Sequence, residues 1–567
     1  MLGRPRVGDA TEMTNMKQAA LAIGVSGLLA AGTATGQISL TQDFDSGSLN
    51  VAASTVAGNT VNLVGRNTWS VYPSDYRWVY FNASGVSGQT PTFNISSSDY
   101  LDGSFALQGH RYVYSYDQQN WNFFDNGTVS GGTYTFGNNG AFTQDDVYVA
   151  FGLPYEVWRT QQHTSSVAAS PFTHATVSGN GGYVIGQSAG GVDDVGRIVP
   201  PQDLLAYQVT DAGFAPTGGA KRKIVLAAGN HSGENASNYV MEGLVDFLLS
   251  DDPRAAGLRR SAEFYVYPQV NPDGRYGGYY RSNPENPDAD HNRYWNNPAG
   301  FTDISQLRDA MVTDTGGDVD MLFDFHGWWG PWNDGNFIFS TSSLAGHPFF
   351  QNLAALEPDI DQITSSGNSG MLRIWGSTAS GLGADFAVTP EFGYHPGVMP
   401  DDLRDIGWSF ALSIFGSIDI FDLPGDANFD GVVDLADFVI LRNNFGDAGM
   451  GAGNGDFNDD GSVDLEDFVI LRNYFGSGTG GGPGGAPSVV PEPATAGLVV
   501  FSLLALRRRR TIDQTQPRTS TSTYAEEQPR PPAFRSKAAA TPADRADIAA
   551  RAAANRPASF RDRLAAH

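Results

Sequence analysis

The sequence predicts a multidomain chain: an antiparallel β-sandwich, then an α/β domain with a mixed sheet flanked by helices, then a small α-helical module built on paired cation-binding loops. Three observations predict it. Short alternating runs rich in Thr, Tyr, Phe, Trp and Val fill residues 37–165 and are broken by turn residues. Beyond Pro200-Pro201, apolar runs of strand length alternate with segments of helical spacing. Between 425 and 476 one Asp- and Gly-rich unit occurs twice, nearly intact.

Composition narrows the function classes. A chain of 567 residues has material for roughly two to four domains. Its net charge of −26 excludes a nucleic-acid partner, because phosphate binding needs a basic face. It has no cysteine, so there are no disulfides and any metal must be held by nitrogen and oxygen. Only 17% of residues are charged and 68 are glycine, which suits a turn-rich extracellular protein.

Residues 1–36 read as an export signal. Lys17 precedes an apolar stretch at 19–31, and Ala34 and Gly36 supply small residues ahead of Gln37. The stretch is short for a membrane span; a buried helix or an anchor is the alternative. In 37–165, runs such as Asn59-Thr-Val-Asn-Leu-Val64, Arg77-Trp-Val-Tyr-Phe81 and Asp146-Val-Tyr-Val-Ala-Phe151 alternate as half-buried strands do. Asp125-Asn-Gly127 and Gly137-Asn-Asn-Gly140 mark turns between them. This domain serves as a structural appendage or a binding module.

The α/β domain spans 175–423. Strands are expected at 223–228, 263–267 and 321–325, and helices at 238–249 and 306–312. In such sheets functional groups gather where strands end. The first candidates, His231-Ser-Gly-Glu234, follow a strand end, where a His and a Glu three apart can face one point. Alone this pair also arises by chance on surface helices. His326 ends another apolar strand, in Phe323-Asp-Phe-His-Gly-Trp328; by itself it fits a hydrogen-bonded core histidine better than a ligand. Together, two His and one Glu make the open three-ligand set of hydrolytic zinc.

Between the ligands lie Asn271-Pro-Asp-Gly-Arg-Tyr-Gly-Gly-Tyr-Tyr-Arg281 and Asp290-His-Asn-Arg293-Tyr-Trp295. A guanidinium fork suits a terminal carboxylate, although surface arginines on an ordinary loop would look the same. Glu391, in Val388-Thr-Pro-Glu-Phe392, is either a general base or a salt-bridged strand-end carboxylate.

The order of these segments resembles the zinc carboxypeptidase family, specifically its cytosolic-carboxypeptidase-like branch. HSGE at 231–234, NPDG at 271–274, the YYR ending at Arg281, DHNR at 290–293, DFHG at 324–327 followed by Asn336-Phe337, and TPE at 389–391 follow the branch's segments in order. Trp78-Val-Tyr-Phe81, Tyr114-Ser115 with Trp121, and the run 146–155 are similar to its preceding β-sandwich, so the resemblance covers about residues 40–423. It implies that His231, Glu234 and His326 bind one catalytic Zn²⁺ and that Glu391 is the general base. It further implies that Arg281 stabilises an oxyanion, and that Asn292 and Arg293 hold the C-terminal carboxylate of a peptide or protein substrate. The chain departs from the branch at 376–381, Gly-Ser-Thr-Ala-Ser-Gly, where an arginine for acidic side chains is usual. Arg275 and Arg373 are the nearby guanidiniums. No tyrosine clearly matches that of pancreatic-type members; Trp375 and Tyr394 are neighbouring aromatics.

Each unit in 425–476 puts oxygen side chains at loop positions 1, 3, 5, 9 and 12. These are Asp426, Asn428, Asp430, Asp434 and Asp437, then Asp456, Asn458, Asp460, Asp464 and Asp467, with Gly431 and Gly461 at position 6. Oxygen-only ligands at this spacing favour two structural Ca²⁺. The pattern resembles a type I dockerin, which implies either a cohesin-type partner or a calcium-stabilised spacer. A Gly-rich linker at 477–490 leads to 491–510, where Pro491-Glu-Pro493, an apolar run and four arginines resemble a PEP-CTERM sorting signal. That implies attachment to a membrane or envelope. The tail 511–567, rich in Ala, Arg, Pro, Ser and Thr, reads as disordered. The expectation is an exported zinc metallocarboxypeptidase, secreted or held at the cell envelope. A cell-wall peptidase or amidase on the same scaffold, and a non-catalytic zinc-binding surface protein, are the rivals.

Overall fold

The computed structural model describes residues 37–66, 78–96, 109–214, 220–328, 336–393, 397–418, 424–428, 432–448, 452–458 and 461–476. The expected export signal, linker, sorting segment and tail lie outside the described residues.

The N-terminal region is β-rich, with two five-stranded sheets. One runs Ser39–Thr41, Tyr80–Ser84, Asp146–Ala150, Val113–Ser115, Asn122–Phe123, every pair antiparallel. The other runs Thr55–Ala57, Thr60–Leu63, Thr92–Ser96, Thr133–Gly137, Asn126–Ser130. Here Thr60–Leu63 pairs parallel with Thr92–Ser96, so the sandwich is not wholly antiparallel as expected. The chain between those strands leaves to build Tyr80–Ser84 in the other sheet and then returns, a crossover that a hairpin turn cannot make. Alternation places Tyr134 and Phe136 inward from Thr133–Gly137. Phe93 stacks on Phe136 at 5.2 Å and meets Phe81 of the facing sheet at 5.8 Å.

The second region has the mixed eight-stranded sheet of an α/β fold. Its order is Thr173–His174, Tyr207–Val209, Ala262–Tyr267, Arg222–Ala228, Met321–Trp328, Phe386–Gly393, Asn336–Ser340, Ile360–Thr364. The four central strands, Ala262–Tyr267, Arg222–Ala228, Met321–Trp328 and Phe386–Gly393, are parallel to one another. Tyr207–Val209 and Asn336–Ser340 join them antiparallel on either side. The runs Ile224–Ala228, Phe264–Tyr267 and Met321–Phe323 are continuously apolar because both faces are covered. Ile224, Leu226 and Ala228 share a core with Tyr239, Leu244 and Phe410, from the helices Ala236–Leu248 and Pro400–Phe415. Val225 and Ala227 face Ile304, Leu307 and Met311 of the helix Thr302–Thr315, and Trp375 of Leu372–Gly376.

The two regions meet at the helix Val157–Val167, which runs across the expected domain end at 165. Trp158 N donates to Asp45 at 3.0 Å, and Tyr239 Oη donates to the Pro154 carbonyl at 2.6 Å.

In the repeats, Asp434 and Asp464 cap the helices Leu435–Asn444 and Leu465–Tyr474 in the same way. Val433, Leu441, Val463 and Leu471 form a small core between them.

Candidate active site

Three parallel strands deliver the site. Arg222–Ala228 ends at Gly229, whose φ of +75° turns the chain out of the sheet, and His231 and Glu234 follow directly. His326 stands near the carboxyl end of Met321–Trp328, and Glu391 in Phe386–Gly393; the two are in register across that strand pair. Functional groups thus collect beyond the carboxyl ends of central strands, as the sheet topology favours.

His231, Glu234 and His326 are buried, and one ligand atom from each lies within 4.8 Å of the others. His231 Nδ1 is 2.9 Å from Glu234 Oε1, and His326 Nδ1 is 2.8 Å from Glu234 Oε2. The two imidazoles cross at 77° with centroids 4.5 Å apart. Two imidazole nitrogens and a carboxylate converging on one point are a donor set suited to zinc. The opposite ring nitrogens are held as well. His231 Nε2 lies 2.9 Å from Asp290 Oδ1, and His326 Nε2 lies 3.2 Å from Asp324 Oδ1. Asp290 and Asp324 were not singled out from the sequence, although both sit inside the quoted DHNR and DFHG segments. An acid two residues before a candidate ligand or anchor was the available signal.

The charges are strongly coupled. Burial alone would raise the Glu234 carboxyl, but His231, His326 and Arg281 more than offset it and hold it well below its usual range. Asp290 behaves alike: burial opposes ionisation, and His231, Arg281 and Arg293 overcome it. His326 is pushed well up, because Asp324 and Glu234 outweigh its desolvation. Burial, reinforced by the charge of Glu234, pushes Glu391 well above the usual carboxyl range.

Arg281 reaches the same cluster, with Nη1 3.3 Å from His231 Nε2 and Nη2 3.5 Å from Glu234 Oε1. Arg293 sits at its edge, 3.5 Å from Asp290 Oδ2, with its side chain 34% exposed. Asn292 is buried. Its Oδ1 accepts from Leu372 N at 2.8 Å, and its Nδ2 lies 3.0 Å from His326 Nε2. Of the two spare guanidiniums, Arg275 donates to Asn238 Oδ1 at 2.8 Å. Arg373 is buried and feels the charge of Asp324, with carbonyl contacts to Ser365 at 3.4 and 3.5 Å. The Trp375 ring lies beside Trp295, with centroids 5.8 Å apart and planes tilted by 33°, and Tyr394 lies outside the described residues.

In the repeats, Asp426, Asp437, Asp456 and Asp467 are buried. Asp437 accepts from Asn428 N and Asp434 N, and Asp467 from Phe457 N, Asn458 N and Asp464 N, which curls each loop around its acids. Asp426 also lies 3.4 Å from Arg260 of the α/β region. Asp430 and Asp460 are outside the described residues.

Comparison with known proteins finds three family models along the chain. The zinc carboxypeptidase family model matches residues 181–337, which hold all three His/Glu groups but end before Glu391. The cytosolic carboxypeptidase N-terminal domain matches 40–151, and the dockerin type I domain 424–476. Among curated relatives, cytosolic carboxypeptidase 6 of Mus musculus is 28% identical over 32% of this chain and 32% of its own length. That of Caenorhabditis elegans is 39% identical over 18% of this chain and 20% of its own. The matched segments therefore span about a fifth to a third of these relatives. The metallo-carboxypeptidase structure from Burkholderia cenocepacia is 21% identical and superposes with a TM-score of 0.56, covering 68% of this chain and all of that one. One from Pseudomonas aeruginosa is 19% identical, with a TM-score of 0.51 and the same coverage. These likenesses establish the fold. A cytosolic carboxypeptidase N-terminal domain, a zinc carboxypeptidase domain and a dockerin type I domain are found along this chain, in that order.

Proposed function

We propose that this chain is a zinc-dependent carboxypeptidase that releases C-terminal amino acids from peptides or proteins. The observation that carries the reading is the convergence of His231 Nδ1, Glu234 and His326 Nδ1, with Glu391 in register beside His326. A bound Zn²⁺ would supply Lewis acidity toward a carbonyl oxygen and toward water. Glu391 takes a proton from the attacking water onto its carboxylate and passes it to the departing amine nitrogen. Its burial raises its affinity for protons, which suits a group that must both take up a proton and return it. Arg281 donates N–H groups to the oxygen that gains charge during attack. Arg293, with Asn292 beside it, takes the terminal carboxylate.

The Arg293 fork is partly exposed, with Nη1 donating to the Asn292 carbonyl at 2.8 Å and Nη2 3.5 Å from Asp290, whereas the buried Asn292 amide is engaged by Leu372 and faces His326. This difference keeps a cell-wall peptidase or amidase in view as the second reading. A peptide with a free C-terminus, offered beside its C-terminal amide, separates them: the carboxypeptidase cleaves the first and fails on the second.

For the repeats we propose two Ca²⁺ sites at Asp426, Asn428, Asp430, Asp434 and Asp437, and at Asp456, Asn458, Asp460, Asp464 and Asp467, with a cohesin-type partner. The dockerin match supports an extracellular location, while the names of the cytosolic carboxypeptidase relatives point the other way. We favour export, which the expected signal at 1–36 would provide. Among the described residues no helix is long and apolar enough to cross a membrane. Envelope attachment is proposed on the resemblance of 491–510 to a sorting signal. Fractionation of the producing cells tests both.

A further inference from the structure

His231 and His326 each have an outer partner on the ring nitrogen facing away from the cluster, Asp290 and Asp324. The third member, Glu234, also has one. Tyr280 is buried, and its Oη lies 3.3 Å from Glu234 Oε1, oriented to donate. The same residue touches the cluster in two further ways. Its carbonyl accepts from Gly233 N at 2.8 Å, and its ring lies so close to Gly233 that a Cβ there would come within 2.4 Å of Tyr280 Cδ2. The Arg281 guanidinium lies over the Tyr280 ring, 5.3 Å from its centroid. Ser232 Oγ adds a bond to the Tyr279 carbonyl at 3.0 Å, so the whole 231–234 turn is seated on the 279–281 segment.

We propose that Tyr280 is a positioning residue with two tasks: its hydroxyl orients Glu234 for metal binding, and its ring face holds Arg281 over the same site. The proposal rests on the zinc reading above. A hydroxyl donating to one carboxylate oxygen fixes the rotation of the carboxyl group and leaves a defined lone pair for the metal. Outer partners of this kind typically change metal affinity about 10–100-fold when removed. A guanidinium over an aromatic face is attracted by the ring quadrupole, and that attraction restricts where Arg281 can place its N–H groups.

The test uses the full chain and zinc itself. Tyr280→Phe keeps the ring against Gly233 and removes only the hydroxyl. Its zinc affinity, measured by chelator competition, is expected to fall about 10–100-fold, with the melting temperature of the metal-free protein unchanged and the absorption spectrum of the cobalt-loaded form altered. Tyr280→Leu removes the ring too, and is expected to lower kcat well beyond the loss in Tyr280→Phe while KM stays put. His231→Ala serves as the control. If it abolishes zinc binding while Tyr280→Phe binds zinc within twofold of wild type with an unchanged cobalt spectrum, the Glu234 role is overturned and the zinc reading stands. If Tyr280→Leu matches Tyr280→Phe in kcat, the Arg281 role is overturned. Zinc binding that survives His231→Ala removes the site reading, and Tyr280 with it.

Discussion

His326 and Glu391 stand opposite each other in register on adjacent parallel strands, one a candidate zinc ligand and the other the candidate base. The pairing fixes their separation through the sheet ladder, so a change in one side chain leaves the placement of the other intact. Glu391→Gln should therefore bind zinc as wild type does yet lose about 10²–10⁴-fold in kcat, the usual scale for a lost general base. Equilibrium zinc titration beside steady-state kinetics checks it. A variant that loses zinc in parallel with activity would make Glu391 part of the metal-holding group instead.

Asp290 and Asp324 hold the outer nitrogens of the two histidines at 2.9 and 3.2 Å. Asp290→Asn and Asp324→Asn should each weaken zinc binding about 10–100-fold. The neutral amide keeps the shape but no longer favours a ring that gives its other nitrogen to a cation. Chelator competition on each variant, with circular dichroism to verify the fold, reads the outcome.

Glu156 lies fully buried where the β-rich and α/β regions meet, with Tyr80 Oη donating to it at 2.8 Å. Burial pushes its carboxyl from the ordinary 4.5 up to about 7. Between those values the folded chain retains a proton that the unfolded chain has released, so this contribution to stability declines as pH rises through the window. Glu156→Gln removes the dependence. It should be more stable than wild type at pH 8 by about 1–3 kcal/mol, with the difference shrinking toward pH 5. Chemical denaturation at the two pH values measures it, and a difference that grows on acidification would reverse the assignment.

The loop acids of the repeats crowd four buried carboxylates into a module whose core is four aliphatic side chains with partly buried phenylalanines. So small a core depends on a ligand that binds only the folded form; calcium at 100 times its Kd would add about 2.7 kcal/mol. Chelating calcium should speed protease cleavage within 424–476 while leaving cleavage within 37–423 unchanged, and Asp437→Ala should reproduce that in the presence of calcium. Equal cleavage rates with and without calcium would remove the ion from the account.

The sequence was most legible where chemistry and strand ends coincide. Lys223 to Ala228 is a run only a doubly covered strand would carry, and His231 and Glu234 come straight after it. The helix expected at 306–312 extends to Thr302–Thr315, because its first and last turns hold few apolar residues and leave no periodic mark. The parallel pairing of Thr60–Leu63 with Thr92–Ser96 was hidden, since alternation reports which face a residue takes and not which way its neighbour runs. Tyr280 was hidden for another reason. Its effect depends on the distance to Glu234, which a sequence separation of 46 residues does not disclose. The engagement of Asn292 by Leu372, 80 residues along, is of the same kind.

The most direct test of the central claim is release of C-terminal amino acids from a mixed peptide library. It compares the full chain with Glu391→Gln, each with zinc and with a chelator. The account predicts release of single C-terminal residues that needs zinc, vanishes in Glu391→Gln and fails on C-terminally amidated peptides. No release from folded, zinc-loaded protein would contradict it.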